Sequence, residues 1–432
     1  MKRKDRYIKI LIELSRIILG ATFVFSGFVK MVDPRGFEYK IQDYLIAFGL
    51  PEWFPLSLPA AILLPVVEFL LGVCLLLGIY RKTVTRLFLL FMLVMTPFTL
   101  WIAIKNPVED CGCFGDAVVI GNWATFYKNI VLSACAVLTV IYYNEITPLL
   151  SSKTAWAATL FTAFFGVAFA VYNVMNLPVV DFRPYKIGTH IPDKMKIDPA
   201  EADQYKNIFI YEKGGIKQAF TEENYPWNDS TWTFVEIKTR LVKKGKKPEV
   251  EDFSIVELVY DEANSSYIEG ADITEKILSD PSYSFLVIAY ALPDIRSGEL
   301  SRLKVLTDYA EKYHYPVYCL TASSIDAIAE WERLHRSGFT FCHADERMLK
   351  TMIRSNPGVV LLKDGTIIGK WSSRSLPSEK ELTALINRVE IGKTVDRRQH
   401  EFLTVGITAL LFLVPLGLIK WADMRSQTQT ND

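Results

Sequence analysis

Asp110-Cys111-Gly112-Cys113-Phe114-Gly115-Asp116 joins two apolar runs, residues 84–104 and 124–143, each long enough to cross a bilayer as a helix. Near-adjacent thiols at such a junction can close a small, strained disulfide, and strained, exposed disulfides tend to be labile or catalytic. Gly112 and Gly115 supply the backbone freedom that so tight a turn needs. The motif points to redox chemistry at a membrane surface. Two other readings of Cys111 and Cys113 stay open. One is an inert structural bridge. The other is half a metal site with Asp110 and Asp116, which lacks the nearby histidine or further sulfur that thiolate sites use.

Working outward, residues 10–29, 58–79, 155–177 and 402–421 are further apolar runs, giving six candidate spans. The first reads as a retained span, because it is longer than a signal-peptide core and no small-residue cleavage site follows. Lys2, Arg3, Lys4 and Arg6 precede the first run, Arg81, Lys82 and Arg86 join the second and third, and Lys420 and Arg425 follow the sixth. With six spans all three basic groups fall on one side, which the positive-inside rule makes cytoplasmic. The Cys111–Cys113 loop and residues 178–400 are then expected outside. In a bacterial inner membrane that side is the periplasm, where disulfides form and persist.

The chain has 432 residues, half of them hydrophobic and 22% charged, the mixture of a membrane part and a water-exposed part. Net charge is zero and no basic block stands out, which excludes a nucleic-acid footprint. Six cysteines in this length do not form a disulfide framework. Inside the spans, Glu68 and Arg16 are costly unless partnered. They read either as a buried Arg16–Glu68 pair fixing helix register, or with Glu68 as a proton- or quinone-facing carboxylate. Cys74 and Cys135 lie too deep to exchange with the loop and read as core.

Arg16-Ile17-Ile18-Leu19-Gly20, Phe25-Ser26-Gly27-Phe28-Val29-Lys30, Asp33-Pro34 and Pro65-Val66-Val67-Glu68 with Leu71-Gly72 resemble the DoxX/MauE group of four-helix membrane proteins. The Asp-Cys-Gly-Cys-Phe-Gly loop is similar to the MauE (methylamine-utilisation) branch. The resemblance covers about residues 8–145. It implies membrane-bound thiol–disulfide work, as helper or electron conduit for a periplasmic partner. No residue points to methylamine, and no cofactor is evident; a quinone is compatible, but no feature of the sequence shows its site.

Beyond residue 177 the chain turns polar, with Pro178, Pro184 and Pro192 interrupting any helix. Residues 208–211 and 233–237 read as strands of a small β-rich segment, and 243–247 as a solvated lysine-rich tip. From residue 282, strands at 284–291, 316–321, 358–362 and 366–371 alternate with helices at 299–313, 325–336 and 378–389. Ser378 and Glu381 form a capping box. This order resembles a thioredoxin-like domain of the TlpA kind, with Asn356-Pro357 at the position of that family's cis-proline. Pro357 is therefore the expected partner-binding position. The catalytic Cys-x-x-Cys is missing: Ala291-Leu292-Pro293-Asp294-Ile295-Arg296 stands in its place. Cys319 reads as core, a Cys319–Cys342 bridge stays open, and Cys342 and His343 face opposite ways on an extended segment.

The expected fold is an α-helical membrane bundle of about six transmembrane helices with an α/β thioredoxin-like periplasmic domain. Its parts are residues 1–147 (MauE/DoxX-like), 148–178 (fifth span), 179–281 (linker and β-rich segment), 282–392 (thioredoxin-like) and 400–423 (anchor). The expected function is thiol–disulfide redox work on a periplasmic or envelope protein through Cys111 and Cys113. The alternative is a non-enzymatic assembly or binding factor.

Overall fold

The computed structural model describes residues 3–108, 110–198, 201, 204–243, 245, 247–251, 253–263, 266–391 and 397–428. Lys2, and Lys244 and Lys246 of the lysine-rich tip, lie outside them. The amino-terminal part is helical: α1 (Arg3–Val32), α2 (Pro34–Ala47), α3 (Ser57–Leu77), α4 (Arg81–Lys105), α5 (Asn122–Ile141) and α6 (Ser152–Met175). After the short α7 (Ile191–Met195) comes an antiparallel sheet in the order β2-β1-β3, from β1 (Gln204–Lys213), β2 (Ile216–Thr221) and β3 (Thr233–Lys243).

Then follow β4 (Val256–Asp261), β5 (Ser266–Asp272), α8 (Thr274–Leu278), β6 (Tyr283–Ile288), α9 (Ser297–Lys312), β7 (Val317–Thr321) and α10 (Ile325–His335). β8 (Thr340–His343), α11 (Glu346–Met352), β9 (Gly358–Lys363), β10 (Thr366–Ser372), α12 (Glu379–Glu390) and α13 (Arg397–Thr428) complete the chain.

Five helical stretches among the described residues are long and apolar enough to cross a membrane: Pro51–Leu77, Arg81–Lys105, Asn122–Ile141, Ser152–Met175 and Glu401–Thr428. The first expected span lies inside α1, which is not among the five; Glu13, Arg16 and Lys30 interrupt its apolar run. Yet α1 runs antiparallel to α3 along the length of that helix. A Cβ on Gly20 would sit 2.7 Å from Leu76, and one on Gly27 would sit 2.6 Å from the Pro65 carbonyl oxygen. Absent side chains at Gly20, Gly27 and Gly72 let the two backbones meet, as small residues do in membrane helix pairs. α1 also exposes Ile10, Leu14, Ile17 and Phe25 on its other face.

One end of the bundle gathers the polar turns. Arg81 donates to the carbonyls of Asn144 and Ile146, and Leu149 N donates to Leu77 O. Asp423 of α13 accepts from Ser151 and Thr154, and Phe412 packs on Phe161 and Phe165 of α6. α2, the cysteine loop and the sheets lie at the other end.

The second sheet has seven strands in the order β10-β9-β6-β7-β8-β4-β5. β6, β7 and β8 are parallel; β9 is antiparallel to β6, β10 to β9, and β4 to both β8 and β5. Every residue of β6 is buried, as the sheet carries apolar cores on both faces. The sheet reaches further back than residue 282, recruiting the 256–272 hairpin. The linker joins it too: Gly188 N donates to Ile367 O, and Ile191 N to Gly365 O.

Candidate functional site at the cysteine loop

Gly112 and Gly115 adopt φ of +65° and +52°, the left-handed turn that folds the loop back on itself. Asp110 fixes its entry, accepting from Gly112 N at 2.7 Å and pairing with Lys40 of α2 at 3.0 Å. The Tyr44 hydroxyl of α2 donates to Cys111 O at 3.0 Å. The two sulfurs converge to 3.1 Å.

Their surroundings differ. Cys111 is buried with Ile102 and Val108, and its thiol is raised, first by its hydrogen bond with Cys113 and then by burial. Cys113 is half-buried, and its thiol is lowered to about 6 by the hydrogen bond from Cys111, with Lys128 and Lys30 adding positive potential against the burial cost. The two thiols therefore differ in acidity, Cys113 being the more easily ionised.

Beneath the loop, Lys30 Nζ lies 2.9 Å from both oxygens of Glu68, and both side chains are buried. This corrects the expected Arg16–Glu68 pair. Arg16 instead pairs with Glu13 and donates to the carbonyls of Leu76 and Thr147, at the opposite end of the bundle from the cysteines. The sequence reading gives Lys30 no role, although Ser26 and Lys30 are four apart on one face of α1. Ser26 Oγ is 2.8 Å from Glu68 Oε2 and 2.8 Å from Cys113 O.

The α/β domain docks directly on this region. Arg354 Nε lies 3.1 and 2.9 Å from the Asp33 oxygens, and its Nη2 donates to Asp116 at 2.9 Å. Asp33 also caps α2, accepting from Gly36 N at 2.9 Å, with Pro34 in the first turn. Tyr39 of α2 meets Tyr290 hydroxyl to hydroxyl at 3.3 Å and lies under Lys350 and Arg354. Nothing in the local sequence around Arg354 announces this long-range contact.

Asn356-Pro357 is cis, and Asn356 donates to Ala291 O, tying that turn to the segment after β6. Pro357 is buried. Cys319 and Cys342 belong to cores on opposite faces of the sheet, so they do not pair. Burial pushes the Cys342 thiol up to about 12, while His343 turns outward to Glu269. Cys74 and Cys135 are buried in the bundle core, as expected. Among the described residues no three His, Cys, Asp or Glu side chains are grouped to hold a metal ion.

Residues 8–142 match the family model of methylamine utilisation protein MauE. The MauE match spans α1 to α5 and contains both cysteines, Lys30, Glu68, Asp33 and Asp116. Residues 205–244, the β1–β3 sheet, match a domain of unknown function (DUF8463). No curated protein and no solved structure matches the chain. The MauE-like region and the apolar helices make this a multi-pass membrane protein with an α/β domain.

Proposed function

We propose that this MauE-like protein performs thiol–disulfide exchange with an envelope protein through Cys111 and Cys113. The convergence of two unequal thiols to 3.1 Å carries the reading. Cys113 thiolate attacks one sulfur of a partner disulfide, forming a mixed disulfide as the partner's other sulfur leaves with the electron pair and takes a proton. Cys111 then attacks Cys113 Sγ, closing the Cys111–Cys113 bond and releasing the second partner sulfur as a thiol. Two electrons pass to the partner, and the reverse sequence oxidises it. The basic groups at one end of the bundle support six crossings, with the loop and the α/β domain on the periplasmic side of an inner membrane. The strand order β10-β9-β6-β7 and the cis Asn356-Pro357 bond support a thioredoxin-like scaffold without its own thiols.

The test is a redox titration in the membrane, trapping thiols with an impermeant alkylator and counting labels by mass. A reversible two-electron transition well above the potential of structural disulfides is expected. A pair that stays oxidised under strong reductant sinks the reading. A second reading, an assembly or binding factor, is favoured by the Arg354 contacts and the absent Cys-x-x-Cys. It expects envelope-partner capture to survive the Cys111→Ser, Cys113→Ser double variant.

A further inference from the structure

Cys113 lines a cavity of about 40 Å³ between α1, α3, α4 and α5. At roughly 10–15 Å³ per water it has room for about two or three, far short of the roughly 150 Å³ that takes a benzene ring. The cavity therefore suits water and protons better than a quinone ring. Its charged and titratable lining is Lys30 from α1, Glu68 from α3, Lys128 from α5 and Cys113 itself, while α4 contributes Phe91, Met92 and Met95. On its other side Cys113 meets Cys111, with Asp110, Lys40 and Tyr44 close behind.

Ser26 shows how a proton fits. Its oxygen lies 2.8 Å from an acceptor on each side, Glu68 Oε2 and Cys113 O, yet a hydroxyl has one proton to donate. With Glu68 ionised, only one of these contacts is a hydrogen bond. With Glu68 protonated both are, Glu68 donating to Ser26 and Ser26 to Cys113 O.

We propose that Glu68 is the group that takes the proton from the Cys113 thiol and returns it. The proposal rests on Cys113 being the exchanging nucleophile. The proton leaves Cys113 Sγ through cavity water to a Glu68 oxygen, so Lys30 exchanges a carboxylate for a thiolate as counter-charge. The transfer leaves the cavity's net charge unchanged. The proton passes back to a departing partner thiolate, and Glu68 ends as it began. No oxidant beyond the partner disulfide is needed.

The experiment measures the alkylation rate of Cys113 by iodoacetamide against pH in the full-length Cys111→Ser protein, counting labels by mass. When Cys113 and Glu68 share one proton, the thiolate fraction stops depending on pH. Below its midpoint the rate should level off at a floor, whereas an isolated thiol goes on losing about tenfold per pH unit. Adding Glu68→Gln should restore the tenfold fall. Lys30→Met with Glu68→Gln should do the same without leaving a buried lysine unpaired, which separates the result from misfolding. A purely electrostatic role for Glu68 moves the midpoint but leaves a single titration limb in the parent, and that limb overturns the proposal. The assay needs no redox partner, so its outcome is independent of the redox titration.

Discussion

Cys113 sits in the positive potential of Lys128 and Lys30, and its acidity follows from that placement. An ammonium near a thiolate stabilises the charged form, so removing it raises the thiol's pKa. In Lys128→Met the midpoint of Cys113 alkylation is expected to move up from about 6. The rate at pH 6 should then drop, by about fivefold if the midpoint rises to about 7; an unchanged pH profile would mean Lys128 does not act on the thiol. Arg354 is the other decisive side chain. It is buried between Asp33 and Asp116, and breaking a buried pair by removing one partner loses about 3–5 kcal/mol. Arg354→Leu is expected to lower the thermal midpoint in detergent and open the 178–190 linker to protease, with Arg374→Leu as the exposed control. The cysteine pair is legible from its spacing alone. Its counter-charges are not, because Lys30 and Lys128 reach it across the fold.

At the scale of elements, the α1–α3 contact is the tightest. A Cβ on Gly27 would lie within 2.8 Å of Pro65 O, Phe69 N and Phe69 Cβ, two of them backbone atoms that cannot rotate away. Gly27→Ala should therefore separate the helices at the level of Ser26 and Glu68. A stability loss of about 1–3 kcal/mol, typical of overpacking, is expected in detergent melts. Gly121→Ala, where nothing lies within 4 Å, should be silent. Helices α9, α10 and α12 and strands β6, β7, β9 and β10 are readable in the sequence because each carries its own periodicity and caps, such as Ser378 with Glu381. α2 escapes that reading despite an Asp33 cap and Pro34, a start signal overshadowed by the apolar run before it. β8 escapes because it is short, and β5 because it is mostly exposed along an edge, so its residues show little alternation.

For the whole molecule, the six crossings proposed above would put the 142–151 turn on one side and the two sheets on the other. Cysteines introduced at Ser152 and Glu223 test this with an impermeant label on intact cells. Glu223→Cys should react and Ser152→Cys should not; the reverse pattern would invert the protein. Charge bias alone leaves the 142–151 turn undecided, since its flank offers only Lys153. Arginines donated from elsewhere, Arg16 and Arg81, supply what that segment lacks.

The α/β domain is bound to the bilayer twice, by α6 on entry and α13 on exit, and these helices pack against each other through Phe161, Phe165 and Phe412. The outer region is therefore a closed loop of chain rather than a pendant. Its closure entropy is already spent and rises only as the logarithm of its length. If the Arg354 contacts let go, the domain can swing but not leave, and it finds Asp33 and Asp116 again without a bimolecular search. A visiting protein that needs the same surface competes with a neighbour that never diffuses away, so its access is set by how often the loop opens.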